Sequence, residues 1–404
     1  FFARHYAGNL ATICGDIRMN YAEMTARCRR LGGALKTLGL APGDRVAILA
    51  ANSHQYIETY MAVPAAGFAV VPLNARHAEV ELAYALQDSG AKILLIDREP
   101  GALAAHVECV IQIPDGYETL IGEAEEIELG EGVTEQTLAG LFYTGGTTGA
   151  SKGVMLSHRN LIANCHNWTA ITQPESEDIS IVMAPLFHAA GSNSVIASIW
   201  SGGAQLVIPA FNPVDILDQI SRERATQTLG VPVMIAALAE EQHANPRDVS
   251  CLRTVAHGAS PIATEVIRRA ITAFPDAEFV HLYGATELSP LATGLRHEER
   301  MPHSDMLRSC GQAVPGVAVR VVNEMGDECA PLEVGEIAVQ GPNVMQGYWN
   351  KAAETAAVLR GGWYYSGDLG YADEKNYIFL MDRAKDMIVS GAENVYCTEV
   401  EEVL

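Results

Sequence analysis

The arrangement of hydrophobic and polar positions follows two alternating periods along the first hundred residues. Apolar side chains recur at helical spacing over residues 21–38, whereas residues 46–49 form a short apolar run typical of a buried strand. The same two patterns then predict helices over 57–66 and 80–89 and strands over 69–73 and 91–96. Because strands that alternate with helices indicate βαβ units, we predict an α/β fold with mainly parallel sheets.

The alternation continues to residue 282, and the pattern then changes. Strand candidates between helical segments lie at 180–184, 204–208, 228–231, 254–257 and 278–282. From residue 312 onward the strands are short and separated by turn residues, at 317–323, 335–340 and 377–381. This pattern favours an antiparallel sheet. We therefore predict two α/β subdomains over about 1–311 and a small antiparallel β-barrel-like subdomain over about 312–384.

The composition argues against nucleic-acid binding and restricts how an anionic ligand can be held. The 404 residues include 27 Lys and Arg against 49 Asp and Glu, which gives a formal net charge of −22. Nucleic-acid binding needs a basic surface, so we expect no nucleic-acid partner. In an acidic protein, an anionic ligand has to be held by a locally built site or with a metal ion. Residues 122–136 hold six glutamates and are predicted to form an exposed linker.

Cysteine usage and hydropathy predict a cytoplasmic protein. The eight cysteines lie far apart and include no CxxC pair, so neither a disulfide scaffold nor a zinc ribbon is indicated. Residues 179–211 contain no Asp, Glu, Lys or Arg, but Pro185, His188 and several glycines interrupt them. Such a segment is more typical of a buried strand, loop and helix than of a membrane span, so we expect no transmembrane segment.

The most specific chemistry lies in residues 141–153, where an apolar strand enters a loop rich in glycine and threonine. Glycines let backbone amides approach phosphate oxygens, and the charge of Lys152 can reach a polyphosphate. The loop is not a Walker A loop, because Ser151 precedes Lys152, and it contains no GxGxxG fingerprint. The candidate phosphate-binding residues are Thr144, Gly145, Gly146, Thr147, Thr148, Gly149 and Lys152.

This loop resembles the signature loop of the adenylate-forming enzymes, the superfamily of acyl-CoA synthetases, adenylation domains and firefly luciferase. Gly145 stands where that family usually has Ser, and Ser151 where it has Pro, whereas the threonines and the lysine are kept. The resemblance implies that the loop holds the phosphates of ATP, that Lys152 is catalytic and that Thr147 contacts Mg²⁺. It also implies that residues 1–384 form the family's large N-terminal domain.

Two further segments resemble the acyl and nucleotide sites of that family. At residues 185–191 the resemblance places His188 beside the acyl carboxylate, as a catalytic and acyl-binding residue. At residues 281–287 it implies that Tyr283 stacks on adenine, Thr286 touches the α-phosphate and Glu287 holds Mg²⁺, for which carboxylate oxygen is a suitable ligand. The other nucleotide-binding candidates in these segments and at 257–261 are Gly258, Ala259, Ser260, Gly284 and Ala285.

The remaining matches lie near the end of the chain. By the same resemblance Asp368 accepts hydrogen bonds from the ribose hydroxyls and Arg383 also contacts the ribose. Lys385 matches the hinge of the family's small C-terminal domain. We expect residues 385–404 to be only the hinge and the start of that domain, so that the chain as given binds ATP but adenylates slowly. The CoA-binding candidates, which match the loop lining the pantetheine tunnel, are Ser390, Gly391 and Ala392.

The resemblance implies a two-step ligase reaction with ATP, Mg²⁺ and CoA. A carboxylate attacks the α-phosphate of ATP to give an acyl-adenylate and pyrophosphate, and the CoA thiol then displaces AMP. Positioning and charge neutralisation account for most of the catalysis of such a first step. A carrier-protein thiol is an alternative acceptor, a non-catalytic nucleotide- or acyl-binding module is a minor alternative, and a homodimer is left open.

The nature of the acid is predicted from the residues around His188. No acidic residue follows His188 over the next five positions, which argues against an amino-acid substrate. Small and apolar residues are consistent with an open acyl channel, so we predict a medium- or long-chain fatty acid, with an aromatic hydroxycinnamate-like acid as the alternative. The acyl-binding candidates are His188, Ala189, Gly191, Val231, Met234 and Gly258.

Overall fold

The computed structural model describes residues 5–145, 150–260, 262–296, 305–383, 388–390 and 393–395. The strands in these ranges are β1 Leu10–Cys14, β2 Ile17–Asn20, β3 Arg45–Leu49, β4 Ala69–Pro72, β5 Ala91–Ile96, β6 Cys109–Gln112, β7 Leu138–Thr144, β8 Lys152–Ser157, β9 Ile179–Val182, β10 Ala204–Val207, β11 Gln227–Gly230, β12 Thr254–Gly258, β13 Glu278–Tyr283, β14 Thr293–Leu295, β15 Ser309–Ala313, β16 Ala318–Val322, β17 Gly335–Gln340, β18 Gly347–Tyr348, β19 Leu359–Arg360, β20 Trp363–Ala372, β21 Ile378–Arg383, β22 Ile388–Ser390 and β23 Glu393–Val395.

The helices in the same ranges are α1 Tyr21–Thr37, α2 His54–Ala65, α3 Glu79–Ser89, α4 Asp115–Glu123, α5 His158–Thr172, α6 Ala189–Trp200, α7 Pro213–Glu223, α8 Pro232–Ala244, α9 Thr264–Ala273 and α10 Ala352–Val358. Helix α1 shows why the periodic pattern was informative. Its N-cap Asn20 and Glu23 form a reciprocal capping box, and its apolar face buries Leu31 and Leu35. The helix and strand positions predicted for the first hundred residues are confirmed to within a few residues at each end.

The chain divides into two compact units, of which the first comprises Phe1–Cys165, Pro174–Phe211 and Met345–Ala352. Its larger sheet has the order β18-β8-β7-β4-β3-β5-β6, with β7-β4-β3-β5-β6 parallel and both β7-β8 and β8-β18 antiparallel. In a further set of strands β9, β10 and β1 are parallel, and β2 is antiparallel to β1. Strands β3, β4 and β5 of the larger sheet are almost wholly buried, as is typical of parallel sheets covered by helices.

The second unit comprises His166–Gln173, Asn212–Val344 and Ala353–Leu404. It begins with the parallel strands β11-β12-β13 and continues as an antiparallel sheet in the order β14-β15-β21-β20-β17-β16. The predicted antiparallel sheet is therefore confirmed, and its strands continue the parallel sheet of the same unit. The longest strand of this part, β20, was not predicted as a strand. The predicted subdomain boundaries at 311 and 384 stay predictions.

The acidic segment 122–136 is exposed at all six glutamates, as predicted. It is also fastened to α1, since the amide of Ile127 donates to the carbonyl of Arg29 and the side chains of Arg29 and Glu128 lie 3.3 Å apart. Within the described part of the chain, no helix is both long enough and apolar enough to cross a membrane. The uncharged stretch 179–211 instead forms β9, α6 and β10 with their loops.

Candidate functional site

The glycine-rich loop connects two antiparallel strands of the first unit. Thr144, the last residue of β7, lies directly opposite Lys152, the first residue of β8, so both stand at the base of the loop. Gly145 is exposed, and the Lys152 ammonium lies 4.7 Å from the centroid of the Tyr348 ring. A cation over an aromatic face is held without neutralising its charge, so Lys152 remains able to attract an anion.

Three residues that the sequence analysis did not select support this loop. The Tyr143 hydroxyl donates to the Asp88 carboxylate at 2.7 Å, and the Trp349 indole N–H donates to the Asp88 carbonyl at 3.0 Å. A Cβ at Gly153 would lie 3.1 Å from the Tyr143 ring and 3.4 Å from the Cβ of Trp349, so glycine leaves room for both side chains. Helix α3 thus anchors β7 through the Tyr143–Asp88 bond, and β8 through Trp349, whose backbone amide donates to the carbonyl of Gly153 at 2.8 Å.

His188 occupies the N-cap position of α6, where its carbonyl accepts the Ser192 amide at 3.1 Å. His188 is an exposed residue, but partial desolvation of its ring, and then the neighbouring Arg76 and His77, lower the pKa of His188 below its usual range. The imidazole is therefore neutral at pH 7 and can sit beside an anion without being permanently paired to it. Ala189 and Gly191 are buried in the same helix.

Helix α2 and the residues before it hold the segment that precedes His188. The buried Asn52 side chain accepts the amide of Leu186 at 2.9 Å and donates to the carbonyl of Ala184 at 3.0 Å. The Tyr60 hydroxyl donates to the carbonyl of Leu186 at 2.6 Å. Both backbone groups of Leu186 are thus fixed by side chains, which positions the start of α6.

In the second unit the nucleotide candidates lie at the carboxyl ends of parallel strands. Gly258 ends β12 directly opposite Leu282 of β13, and Ala259 and Ser260 follow it as exposed residues. Val231 and the buried Met234 follow the neighbouring strand β11 and begin α8. The crevice outside the carboxyl ends of parallel strands is where ligands bind in open α/β sheets, because loops diverge there.

A Gly258→Ala variant tests how closely strands β12 and β13 pack at their carboxyl ends. A Cβ at Gly258 would collide with the carbonyl oxygen of Leu282, a backbone atom that cannot move aside cheaply. We expect the substitution to lower the free energy of unfolding by about 1–3 kcal/mol, as overpacking does. Urea denaturation would measure it, with Gly8→Ala as the control because a Cβ there meets nothing within 4 Å. Equal stability of the two variants would contradict the close approach.

The adenine and ribose candidates meet within the second unit. The Tyr283 hydroxyl, at the end of β13, donates to the Asp368 carboxylate of β20 at 2.8 Å. Asp368 in turn lies directly opposite Arg383 across the antiparallel pair β20-β21. Burial, and then the negative charge of Asp368, raises the pKa of Tyr283 well above its usual range, so its hydroxyl remains a donor. Three sequence-predicted residues are thereby brought to one place.

The segment after β13 carries Thr286 and Glu287 in a single turn of 3₁₀ helix, Thr286–Leu288. Glu287 is buried, with 9% of its surface exposed, and the turn closes through the amide of Leu288 on the carbonyl of Ala285 at 2.8 Å. A Cβ at Gly284 would collide with the carbonyl oxygen of Pro290, so the chain folds back on itself here. A carboxylate held in such a turn, next to the proposed α-phosphate contact Thr286, has the oxygen chemistry that Mg²⁺ requires.

Several predicted site residues lie outside the described residues, namely Gly146, Thr147, Thr148, Gly149, Lys385, Gly391 and Ala392. Arg383 and Ser390 are described by their strands, β21 and β22, but not by their side chains. The structure therefore assembles the Tyr283–Asp368–Arg383 group and the Thr144–Lys152 pair, each within one unit. The ligand contacts assigned to all site residues stay predictions.

Comparisons with a family model, with curated relatives and with solved structures agree on one enzyme family. The family model described as AMP-binding enzyme matches residues 2–349. Feruloyl-CoA synthase of Amycolatopsis sp is 38% identical over 393 residues, covering 96% of this chain and 78% of the relative. Fatty acid–[acyl-carrier-protein] ligase ScoC of Streptomyces coeruleorubidus is 31% identical, covering 100% and 80%. The solved structure of o-succinylbenzoate coenzyme A synthetase (MenE) from Bacillus subtilis in complex with ATP and magnesium ion is similar with a TM-score of 0.90 at 29% identity, covering 99% and 82%.

Proposed function

We propose that this chain, which belongs to the AMP-binding enzyme family and is an ATP-dependent, AMP-forming acid–CoA ligase, activates an aromatic acid of the hydroxycinnamate class. The family resemblance and the α/β fold predicted from the sequence are confirmed. The enzyme uses ATP, Mg²⁺ and CoA with a small-molecule acid. The 38% identity to feruloyl-CoA synthase is the observation that carries the choice of acid.

A fatty acid, which the sequence analysis preferred, is the second candidate. It is supported by the 31% identity to a fatty acid–[acyl-carrier-protein] ligase, over the whole of this chain. The higher identity to feruloyl-CoA synthase supports placing the aromatic acid first.

In the proposed chemistry, a carboxylate oxygen of the acid attacks the α-phosphorus of ATP and forms a new P–O bond. The bond from the α-phosphorus to the bridging oxygen breaks, and pyrophosphate leaves. The thiolate of CoA then attacks the acyl carbon of the adenylate, and AMP leaves. Lys152 attracts the phosphates, neutral His188 lies beside the carboxylate, and Thr286 contacts the α-phosphate. Mg²⁺, when bound at Glu287, supplies charge neutralisation for the same phosphates.

The choice of acid is tested with non-hydrolysable acyl-adenylate analogues. We expect a feruloyl-sulfamoyl adenosine to bind at least about tenfold more tightly than the dodecanoyl analogue, since each well-placed ring contact adds about 1 kcal/mol or more. Isothermal titration calorimetry measures both affinities without requiring turnover, and unacylated sulfamoyl adenosine is the control for the nucleotide part. Tighter binding of the dodecanoyl analogue would reverse the order of the two candidates.

The acceptor and the setting of the enzyme are also part of the proposal. CoA is the acceptor we favour, and a carrier-protein thiol is the alternative, supported by the carrier-protein ligase among the relatives. We also propose a cytoplasmic location, on the sparse and scattered cysteines. Homodimer formation stays a prediction, which gel filtration with light scattering would test.

A further inference from the structure

We infer that Asn343 is a positioning residue for the Mg²⁺-dependent binding of ATP, because its side chain holds the turn that carries Glu287. The inference rests on the proposed role of Glu287 as a Mg²⁺ contact. Asn343 lies in the loop after β17, far from the turn in sequence but within the same unit. It belongs to none of the segments that the sequence analysis selected.

The geometry is that of a clamp with three hydrogen bonds. The Asn343 side-chain amide donates to the carbonyl of Leu288 at 3.0 Å and to the carbonyl of Leu291 at 2.8 Å. The Ser289 hydroxyl donates back to the Asn343 carbonyl at 2.8 Å. Asn343 has no exposed surface, so water cannot replace these bonds.

The clamp holds a short segment that has an uncommon backbone conformation. Thr286–Leu288 is a single 3₁₀ turn, and Ser289 has a φ of +67°, which a residue other than glycine rarely adopts. Because the first clamp bond ends on Leu288, the residue after Glu287, losing it frees the backbone beside that carboxylate. The second bond, to the carbonyl of Leu291, fixes the chain three residues beyond the turn.

An amide is the side chain that this place requires. Its N–H₂ group supplies two donors to two carbonyls, which neither an apolar group nor a carboxylate can do. Asn343→Leu removes both donors and keeps the branched shape of the side chain, and Asn343→Asp sets a carboxylate against two carbonyl oxygens. Ser289→Ala removes the return bond alone and is the milder variant should the others fold poorly.

Asn52 provides a matched control in the other unit. It is also a buried asparagine whose side chain bonds the backbone of a functional segment, but that segment leads to His188 and not to Glu287. Asn52→Leu therefore removes the same kind of clamp. A general loss of stability would affect both variants alike, whereas a loss of Mg²⁺-dependent ATP binding should be confined to the Asn343 and Ser289 variants.

The test measures ATP affinity by calorimetry with saturating Mg²⁺ and with EDTA, and hydrogen exchange of residues 284–292 by mass spectrometry. For Asn343→Leu we expect affinity with Mg²⁺ to fall about tenfold and affinity in EDTA to change much less, as for a misplaced binding group. We expect faster exchange over 284–292, and a smaller change of the same sign for Ser289→Ala.

The inference is overturned if affinity falls equally with Mg²⁺ and EDTA, if Asn52→Leu gives the same Mg²⁺-specific loss, or if exchange over 284–292 does not change. If the wild-type chain bound ATP with no dependence on Mg²⁺, the proposed role of Glu287 would be wrong, and the inference about Asn343 would be wrong as well. Mg²⁺-dependent binding in the wild type with unaltered Asn343 and Ser289 variants would overturn the inference alone.

Discussion

An Asp368→Ala variant is expected to bind ATP about 100-fold more weakly than the wild type. The proposed role of the carboxylate is to accept hydrogen bonds from the ribose hydroxyls, and each hydrogen bond to a charged group contributes about 1.5–3 kcal/mol. The substitution also leaves the buried Tyr283 hydroxyl without the acceptor that it has at 2.8 Å. Isothermal titration calorimetry with Mg²⁺ and ATP measures the affinity directly.

ATP analogues that lack one ribose hydroxyl distinguish a loss of ribose recognition from a general disturbance of the binding site. The wild type should bind 2′-deoxy-ATP or 3′-deoxy-ATP more weakly than ATP, and Asp368→Ala should bind ATP and the affected analogue equally. Tyr283→Phe, which removes the hydroxyl but keeps the ring, should retain this discrimination and lose only about tenfold in affinity. If Asp368→Ala still discriminated between the sugars, another group would have to hold the ribose.

The parts of this site that the sequence could predict are those carried by short strings of residues. Tyr283, Asp368 and Arg383 were each found within a local motif, and the resemblance to one family assigned them to one nucleotide. The hydrogen bond between Tyr283 and Asp368 and the pairing of Asp368 with Arg383 were not predicted. Both depend on strand order and register, which are set by packing over long sequence distances and not by local pattern.

The supporting residues were missed for the same physical reason. Asn52, Asp88 and Asn343 each bond a backbone or side chain in a distant segment. Asp88 is one polar residue of helix α3, and an isolated Asn in a loop, such as Asn52 or Asn343, is also common in ordinary turns. Only the buried position of Asn52 and Asn343 distinguishes them from turn residues. Burial of a polar residue outside a periodic segment has no signature in a single sequence.

The sequence predicted those parts of the fold in which short buried strands alternate with helices. The central strands β3, β4 and β5 are short apolar runs between amphipathic helices, and the periodic pattern identified them. The pattern could not give the order β18-β8-β7-β4-β3-β5-β6, in which β18 comes from residues far along the chain. It also missed β20, because its ten residues include two glycines and an aspartate that weaken the strand pattern.

An ion pair in the first unit, between the buried Glu58 and the half-buried Arg27, has the largest expected effect on stability. Glu58 of α2 has only 1% of its side chain exposed. Its carboxylate accepts one hydrogen bond from the Arg27 guanidinium of α1 at 2.6 Å and another from the Tyr117 hydroxyl of α4 at 2.8 Å. Arg27 also bridges to Glu118 of α4 at 2.8 Å. Burial raises the pKa of Glu58 above its usual range, against the opposing effects of Arg27 and Tyr117. The carboxylate therefore depends on its partners to remain charged.

An Arg27→Met variant is expected to lose about 3–5 kcal/mol of unfolding free energy, because it leaves an uncompensated buried carboxylate. A carboxyl whose pKa is raised on folding destabilises the folded state progressively as pH increases, so the loss should be greater at about pH 8 than at about pH 5. Urea denaturation at both pH values measures it. Adding Glu58→Gln, which keeps an acceptor for Tyr117 but removes the charge, should recover more than half of the loss and abolish its pH dependence. A double variant no more stable than Arg27→Met would show that lost packing of Arg27, and not the stranded charge, determines the effect.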